Sequence, residues 1–153
     1  MKRWRTIFDV GTRVYQTTVD ISAPTAVVWG ILRNVTEWPS WTQTVTSVRP
    51  RGDARLVDGA KFDVKQPGVP TATYVVKSCI DEKSFLWESK TAGLLNSADH
   101  VLQGLGTESC RLTLTFTMEG RLAAAAWMVT GRKIREFVDI EACSLKSAAE
   151  GTD

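Results

Sequence analysis

The spacing of apolar residues changes along the chain, and each change marks a new kind of element. Residues 13–21 read as a first strand, closed by Ser22-Ala23-Pro24. Ser22 is a candidate helix cap, and Pro24 suits a first helical turn, where its missing N–H breaks no bond. The helix that follows carries Val27, Val28, Ile31 and Leu32, with Trp29 on its flank, and ends near Asn34. A second short helical segment is predicted over residues 35–38, stopped by Pro39.

From Thr42 the period becomes two and holds as far as Gly120. Strands are predicted over 45–48, 60–66 and 72–80, then around Phe85 and Trp87, over 96–103, and over 111–118. Turns at Pro67-Gly68, Asp81-Glu82-Lys83, Ala92-Gly93 and Gly104 to Gly106 separate them. Within these strands Tyr74, Val76 and Ser78 share a face opposite Lys77, and Ala98, His100 and Leu102 share another. The last strand alternates most cleanly, Leu112, Leu114, Phe116 and Met118 against Arg111, Thr113, Thr115 and Thr117.

After Gly120 the period becomes 3.6 and runs to Glu150. One arc of this helix holds Arg121, Arg132, Arg135, Glu136, Asp139, Lys146 and Glu150. The opposite arc holds Ala123, Trp127, Thr130, Ile134, Phe137, Val138, Leu145 and Ala148, interrupted by Glu141. The predicted fold class is α+β, a curved antiparallel sheet of about seven strands wrapped around the long C-terminal helix, with two short helices after the first strand. A helix of about thirty residues is roughly 45 Å long and can hide its apolar arc only against the concave side of such a sheet. Residues 123–126 are all alanine while several inward sheet positions carry rings, which predicts an enclosed cavity.

Composition narrows the function classes. A chain of 153 residues with 43% hydrophobic and 24% charged residues is expected to be one soluble domain with its own core. A formal charge of +2, with basic residues scattered apart from Lys2, Arg3 and Arg5, gives no footprint for nucleic acid. That basic tip reads as a solvated terminus. The N-terminal stretch lacks the apolar run of a signal peptide, and no window is long and apolar enough for membrane insertion. Cys79, Cys110 and Cys143 are far apart and form no CxxC pair, so a reduced, cytoplasmic setting with three packing cysteines is expected.

Several motifs occur in a characteristic order. They begin with Val19-Asp20-Ile21-Ser22-Ala23-Pro24, Val28-Trp29, Leu32 and Trp38-Pro39-Ser40-Trp41. Next come Gly59 to Phe62 with Gln66-Pro67-Gly68, and His100 with Gly106-Thr107 and the Leu112-to-Phe116 strand. Gly120, Glu141-Ala142 and Leu145-Lys146 close the series. Together they resemble the helix-grip superfamily that includes START lipid-transfer domains, plant pollen allergens and the bacterial polyketide cyclase/dehydrase branch of the group called SRPBCC. The resemblance covers about residues 14–150, so residues 13–150 form a single helix-grip domain after an N-terminal extension, residues 1–12. It implies a deep hydrophobic cavity between long helix and sheet. Relatives of this type range from aromatase/cyclases to lipid carriers, hormone receptors, chaperone co-regulators and oxygenase subunits, so the fold does not choose among activities.

The residues themselves exclude some chemistry. One histidine and no close cysteine pair offer no metal site, and no glycine-rich phosphate loop offers a nucleotide cofactor. No serine sits in a nucleophile elbow. His100 faces inward by periodicity, either as an acid/base or ligand-orienting group or as a core histidine bonded to a neighbour; the resemblance implies this histidine in non-enzymatic relatives too. Glu141 in an apolar arc needs a partner or a proton. Its expected partners are the indole N–H groups of Trp38 and Trp41 or helix-end amides, with Trp38 and Trp41 forming a rigid corner.

The expected ligand-binding residues are Phe62, Tyr74, Val76, Phe85, Trp87, His100, Leu114, Phe116, Trp127, Thr130, Ile134 and Phe137, with Ser78 and Ser89 as further polar groups. His100 is the one candidate catalytic residue. The expected function is binding of a hydrophobic small molecule, a lipid, polyketide or aromatic metabolite, without cofactor or metal. A polyketide cyclase/dehydratase using the same cavity is the second reading, and a chaperone co-regulator-like interaction module the third.

Overall fold

The structure, a computed structural model, describes residues 11–151. Residues 1–10, and with them most of the expected extension and its basic tip, lie outside the described residues. Strand β1 (Thr12–Ile21) is followed by helix α1 (Thr25–Arg33) and a 3-10 segment, Val35–Ser40. Then come β2 (Ser47–Pro50), β3 (Lys61–Lys65), β4 (Ala72–Ile80), β5 (Ser84–Thr91), β6 (Leu94–Gly104), β7 (Cys110–Glu119) and helix α2 (Ala123–Glu150). The seven strands form one antiparallel sheet in the order β1-β7-β6-β5-β4-β3-β2, so that β2 and β1 are the edges. The sheet is curved and grips α2, as the alternation and the resemblance both imply.

Several local expectations need correcting. Ser22 does not cap α1: Pro24 holds the cap position in extended backbone with no side-chain bond, and the Ser22 N–H donates to Glu150 at the far end of α2, 3.1 Å away. The 3-10 segment runs through Pro39 to Ser40, and the Trp41 N–H closes it on the Trp38 carbonyl. Strand β2 starts at Ser47 rather than residue 45, because the chain is still turning, with the Thr42 and Thr44 hydroxyls bonded to each other at 2.9 Å.

The largest correction is in β4. A register shift between Val76 and Ser78 leaves Lys77 as the extra, exposed residue of a β-bulge. Beyond it, Ser78 pairs with Leu86 and Cys79 pairs with buried Phe85. One extra residue reverses the phase of a period-two pattern. Cys79 therefore faces the core and Ser78 does not share a face with Tyr74 and Val76. The cysteines also differ from expectation: Cys110 is buried and Cys79 half-buried, but Cys143 lies on the surface.

Helix α2, 28 residues and thus about 42 Å long, is fixed asymmetrically. Its backbone approaches β1, β7 and α1 and stands off the middle strands. Tyr15 of β1 donates its hydroxyl to both oxygens of Asp139, at 2.7 and 2.9 Å, and Lys146 reaches the Asp20 carbonyl at 2.7 Å. Ala142 and Leu145 are buried, whereas Ala148, expected on the inner arc, is exposed. At the other end the chain turns from β7 into α2 at Gly120. Its φ of +137° suits glycine, and a Cβ there would lie 2.6 Å from the Gly93 carbonyl oxygen. The solid core gathers below the C-terminal half of α2, around Leu32, Trp38, Phe62, Phe85, Leu112 and Leu145.

Candidate functional site

Because α2 stands off the middle strands, a cavity remains between them. Its wider outer part, about 370 Å³, lies between the N-terminal half of α2 and the loop from β3 to β4, with Ala126, Thr130, Ile134 and Phe137 on the helix side. Its inner recess, about 90 Å³, ends against Trp38, Trp87, His100, Leu114 and Glu141. Tyr74, Val64, Gln66, Phe116, Ile134 and Phe137 border both parts, so the two adjoin across these side chains. The alanine at 126 is what opens the outer part, since a larger side chain there would project into it.

The inner end holds the polar chemistry. His100 of β6 is 3% exposed and its Nε2 lies 3.4 Å from a carboxylate oxygen of Glu141, itself 15% exposed. The other ring nitrogen, Nδ1, is 3.2 Å from the Phe85 carbonyl. A carbonyl can only accept, so Nδ1 carries a proton. Nε2 is the ring nitrogen that faces the Glu141 carboxyl. At 3.4 Å the contact is longer than a charge-assisted hydrogen bond, usually about 2.7–2.9 Å, so the carboxyl retains bonding capacity toward the cavity.

Aromatic packing fixes the imidazole. Phe85 stacks on it at 4.0 Å with planes 11° apart, while Trp38 and Trp87 meet it edge-on at 5.6 and 6.1 Å. Such surroundings lower the local dielectric and strengthen the interaction with Glu141. Tyr74 stands at the waist of the cavity, its ring 5.0 Å from that of Trp87. Its hydroxyl has no hydrogen-bond partner among the described residues. Burial first, and the Glu141 charge second, push its pKa up to about 12. It therefore remains a phenol, a hydrogen-bond donor, at ordinary pH.

The expected partners of Glu141 are not the ones found. The Trp38 indole N–H donates to the Leu32 carbonyl at 2.9 Å, and that of Trp41 is buried without a partner. Trp38 does form the expected corner, packed edge-on against Trp41 at 5.4 Å, but it also closes the inner recess. Glu141 faces the cavity and His100 instead.

Of the twelve expected ligand-binding residues, Tyr74, Trp87, His100, Leu114, Phe116, Thr130, Ile134 and Phe137 border the cavity. Phe62, Val76 and Phe85 are fully buried in the wall behind it. Trp127 turns along the helix onto Gly131, where a Cβ would come within 2.8 Å of its Nε1, and stacks on Phe116 at 6.5 Å. Trp38, Gln66, Asn96, Lys133 and Glu141 were missed. For Asn96 the signal was present, because it shares its phase in β6 with Ala98 and His100. For Glu141 the signal was its interruption of the apolar arc.

On the inner face of β5 and β6, Ser89 pairs with Asn96. Ser89 is 2% exposed, and neither its hydroxyl nor the Asn96 side-chain carbonyl oxygen has a hydrogen-bond partner.

Residues 12–150 match the family described as polyketide cyclase / dehydrase and lipid transport. The chain belongs to that family. No protein of curated function matches the sequence. Among solved structures, the hypothetical protein jhp0584 from Helicobacter pylori is similar with a TM-score of 0.76 at 13% identity, over 95% of this chain and 92% of that one. Norcoclaurine synthase from Thalictrum flavum is similar with a TM-score of 0.72 at 11% identity, over 93% and 96%. The di-domain ARO/CYC StfQ from the steffimycin biosynthetic pathway gives 0.75 at 13% identity over 93% of this chain, which spans only 52% of that protein. At such identities the likeness shows the helix-grip fold that the family shares, and leaves the ligand to the residues of the cavity.

Proposed function

We propose that this member of the polyketide cyclase/dehydrase and lipid-transport family binds a hydrophobic small molecule, a lipid, polyketide or aromatic metabolite, in a cytoplasmic setting. The observation that carries this reading is the adjoining pair of spaces beneath α2, largely apolar along their walls and closed at the inner end by His100 and Glu141. Ring and aliphatic surfaces supply affinity by burial, at roughly 25 cal/mol per Å² before the costs of association. Tyr74 donates to a carbonyl or hydroxyl of the ligand, and Glu141 with His100 orients the same end. Native mass spectrometry of protein isolated from its host is expected to show a bound hydrophobic species that Ala126→Phe removes. Protein that carries no such species, and takes up no apolar probe, would end the reading.

The juxtaposition of His100, Glu141 and Tyr74 supports a second reading, in which the cavity also catalyses cyclisation or dehydration of a polyketide. The basic member of the His100–Glu141 pair would take a proton from carbon next to a carbonyl. The resulting carbanion would attack a second carbonyl of the same chain, and Tyr74 would donate to the oxygen that becomes negative. Turnover of a poly-β-keto substrate is then expected to fall at least about 100-fold in Glu141→Gln. Equal turnover by wild type and Glu141→Gln would exclude this chemistry while leaving the binding function intact. Among the described residues the outer sheet face carries only scattered exposed hydrophobics such as Val14, Ile80 and Val101, so nothing there favours an interaction module.

A further inference from the structure

The first half of α2 carries an apolar surface on the side turned away from the cavity. Between Arg121 and Arg132 the exposed positions are Leu122, Ala125, Met128 and Val129, and all four are apolar. Met128 is 89% exposed, Val129 84% and Leu122 60%, the three highest values among the exposed large hydrophobics of the described residues. Packing does not explain them, since they bury little area against the sheet. Helix propensity does not either, because valine is a weaker helix former than the lysine or glutamate that a solvated face allows.

Cations frame this patch. Arg121 precedes it, and Arg132, Lys133 and Arg135 follow, with no acidic side chain between Gly120 and Arg135. None of these four is in an ion pair among the described residues, whereas Lys146 in the second half of α2 pairs with Glu150 at 2.7 Å. Lys133 and Arg135 instead lie over the rings of Phe137 and Trp127, at 5.4 and 5.8 Å. The Gly120 N–H donates to the Gly11 carbonyl at 2.9 Å, so residues 1–10 join the body at this same end. Their sequence adds Lys2, Arg3 and Arg5 against Asp9 alone. Seven of the 19 Lys and Arg residues, but one of the 17 Asp and Glu, thus lie in residues 1–10 and 120–135, and the rest of the chain is acidic on balance.

We propose that this face docks on an anionic lipid bilayer. Such a surface offers anionic headgroups to the arginines and an apolar interior beneath them to Leu122, Met128 and Val129. Other partners fit one feature and not the other. Nucleic acid answers the cations but leaves the apolar centre in water. A second copy covers the apolar centre, but a two-fold contact sets the cations of one chain against those of the other. Docking is peripheral, since no helix among the described residues is long and apolar enough to cross a membrane. On the inner side of the same turns, Ala126 and Thr130 border the outer part of the cavity. A docked chain therefore holds that part of the cavity beside the lipid. The inference goes beyond the proposed binding function and is tested without any cavity ligand.

The test is co-sedimentation of the full chain with vesicles of phosphatidylcholine, alone or mixed with phosphatidylglycerol. Wild type is expected to bind the anionic vesicles at least about tenfold tighter than the neutral ones, and to lose that preference at about 1 M salt, where charges are screened beyond ~3 Å. Arg121→Gln/Arg132→Gln is expected to weaken anionic binding roughly 25-fold, about fivefold for each charge removed. Met128→Ser/Val129→Ser keeps every charge and is expected to weaken it at least about fivefold. Its Tm is expected to stay near that of wild type, because both side chains are exposed. Equal binding to the two vesicle types, or a serine variant that binds like wild type, would overturn the proposal. Absence of binding to anionic vesicles would overturn it too and leave the face to an acidic protein. Without lipid, sedimentation equilibrium is expected to give a monomer; a dimer that the serine variant dissociates would assign the face to a second copy and sink the docking. Uptake of an apolar probe by the serine variant is expected to match wild type, so a failure of docking is distinguishable from a failure of the cavity.

Discussion

The two halves of α2 do different work with the same helix. From residue 138 onward, Ala142 and Leu145 are buried against α1 and the sheet, and Asp139, Lys146 and Glu150 are bound to Tyr15, the Asp20 carbonyl and the Ser22 N–H. Before residue 138, Ala126, Thr130 and Ile134 face space. The second half anchors, and that anchorage, with buried Ala123 and the stacking of Trp127 on Phe116, holds the first half as a wall over the cavity. The proposed binding function would thus depend on stability placed elsewhere. A helix packed equally along its length would leave no room for a ligand.

The comparison breaks most visibly by removing one apolar side chain from each half. Leu145 is fully buried, so Leu145→Ala is expected to cost about 2–5 kcal/mol, from lost transfer energy and the void left behind. Ile134 already borders a void and loses fewer contacts, so Ile134→Ala is expected to cost less than half as much. Urea denaturation of both variants measures the difference. Equal losses would mean that the N-terminal half is packed as tightly as the C-terminal half.

Filling the cavity reverses the logic. Ala126→Phe places a ring in existing space, with a helix-propensity penalty of only ~0.5 kcal/mol, so Tm is expected to change little. Binding of an apolar probe is expected to weaken by at least about tenfold, since the ring competes for the same volume. A large fall in Tm with binding intact would show that Ala126 packs against a solid interior.

How much of this was legible in the chain follows from the range of each interaction. Period two located the strands, and the 3.6 period located α2, because those signals come from neighbours in sequence. Phase was lost where one residue was inserted: the bulge at Lys77 turned Ser78 away and Cys79 inward, and alternation carries no marker for that. The direction of Trp127 depended on Gly131, a glycine whose helical spacing from it was visible but whose use as a bed for the indole was not. Glu141 was recognisable as an anomaly, but its partner was not. Indoles 38 and 41 and imidazole 100 were all chemically suitable, and only the sheet register brings His100 beneath α2. The cavity itself reflects how far α2 stands from the middle strands, a property of the whole assembly rather than of any segment.

The finest contrast lies between two pairs that each join a sheet tyrosine to a carboxylate of α2. Tyr15 donates directly to Asp139 in the anchoring half, and that bond, with burial and the Asp139 charge, raises its pKa. Tyr74 makes no such bond: burial, and secondarily the Glu141 charge across the cavity, raise it to about 12. Both shifts favour the protonated phenol in the folded state. The unfolded chain therefore loses these protons first as pH rises. Tyr74's contribution to stability is complete below pH 10.0, its ordinary value, and is lost as pH climbs through about 12. The chain has only two tyrosines, so Tyr15→Phe leaves the absorbance of tyrosinate reporting Tyr74 alone. In that background Glu141→Gln is expected to lower the Tyr74 midpoint modestly while leaving it above 10.0, because burial, the larger cause, persists. An unmoved midpoint would show that the Glu141 charge does not reach the Tyr74 hydroxyl, and that burial alone raises it.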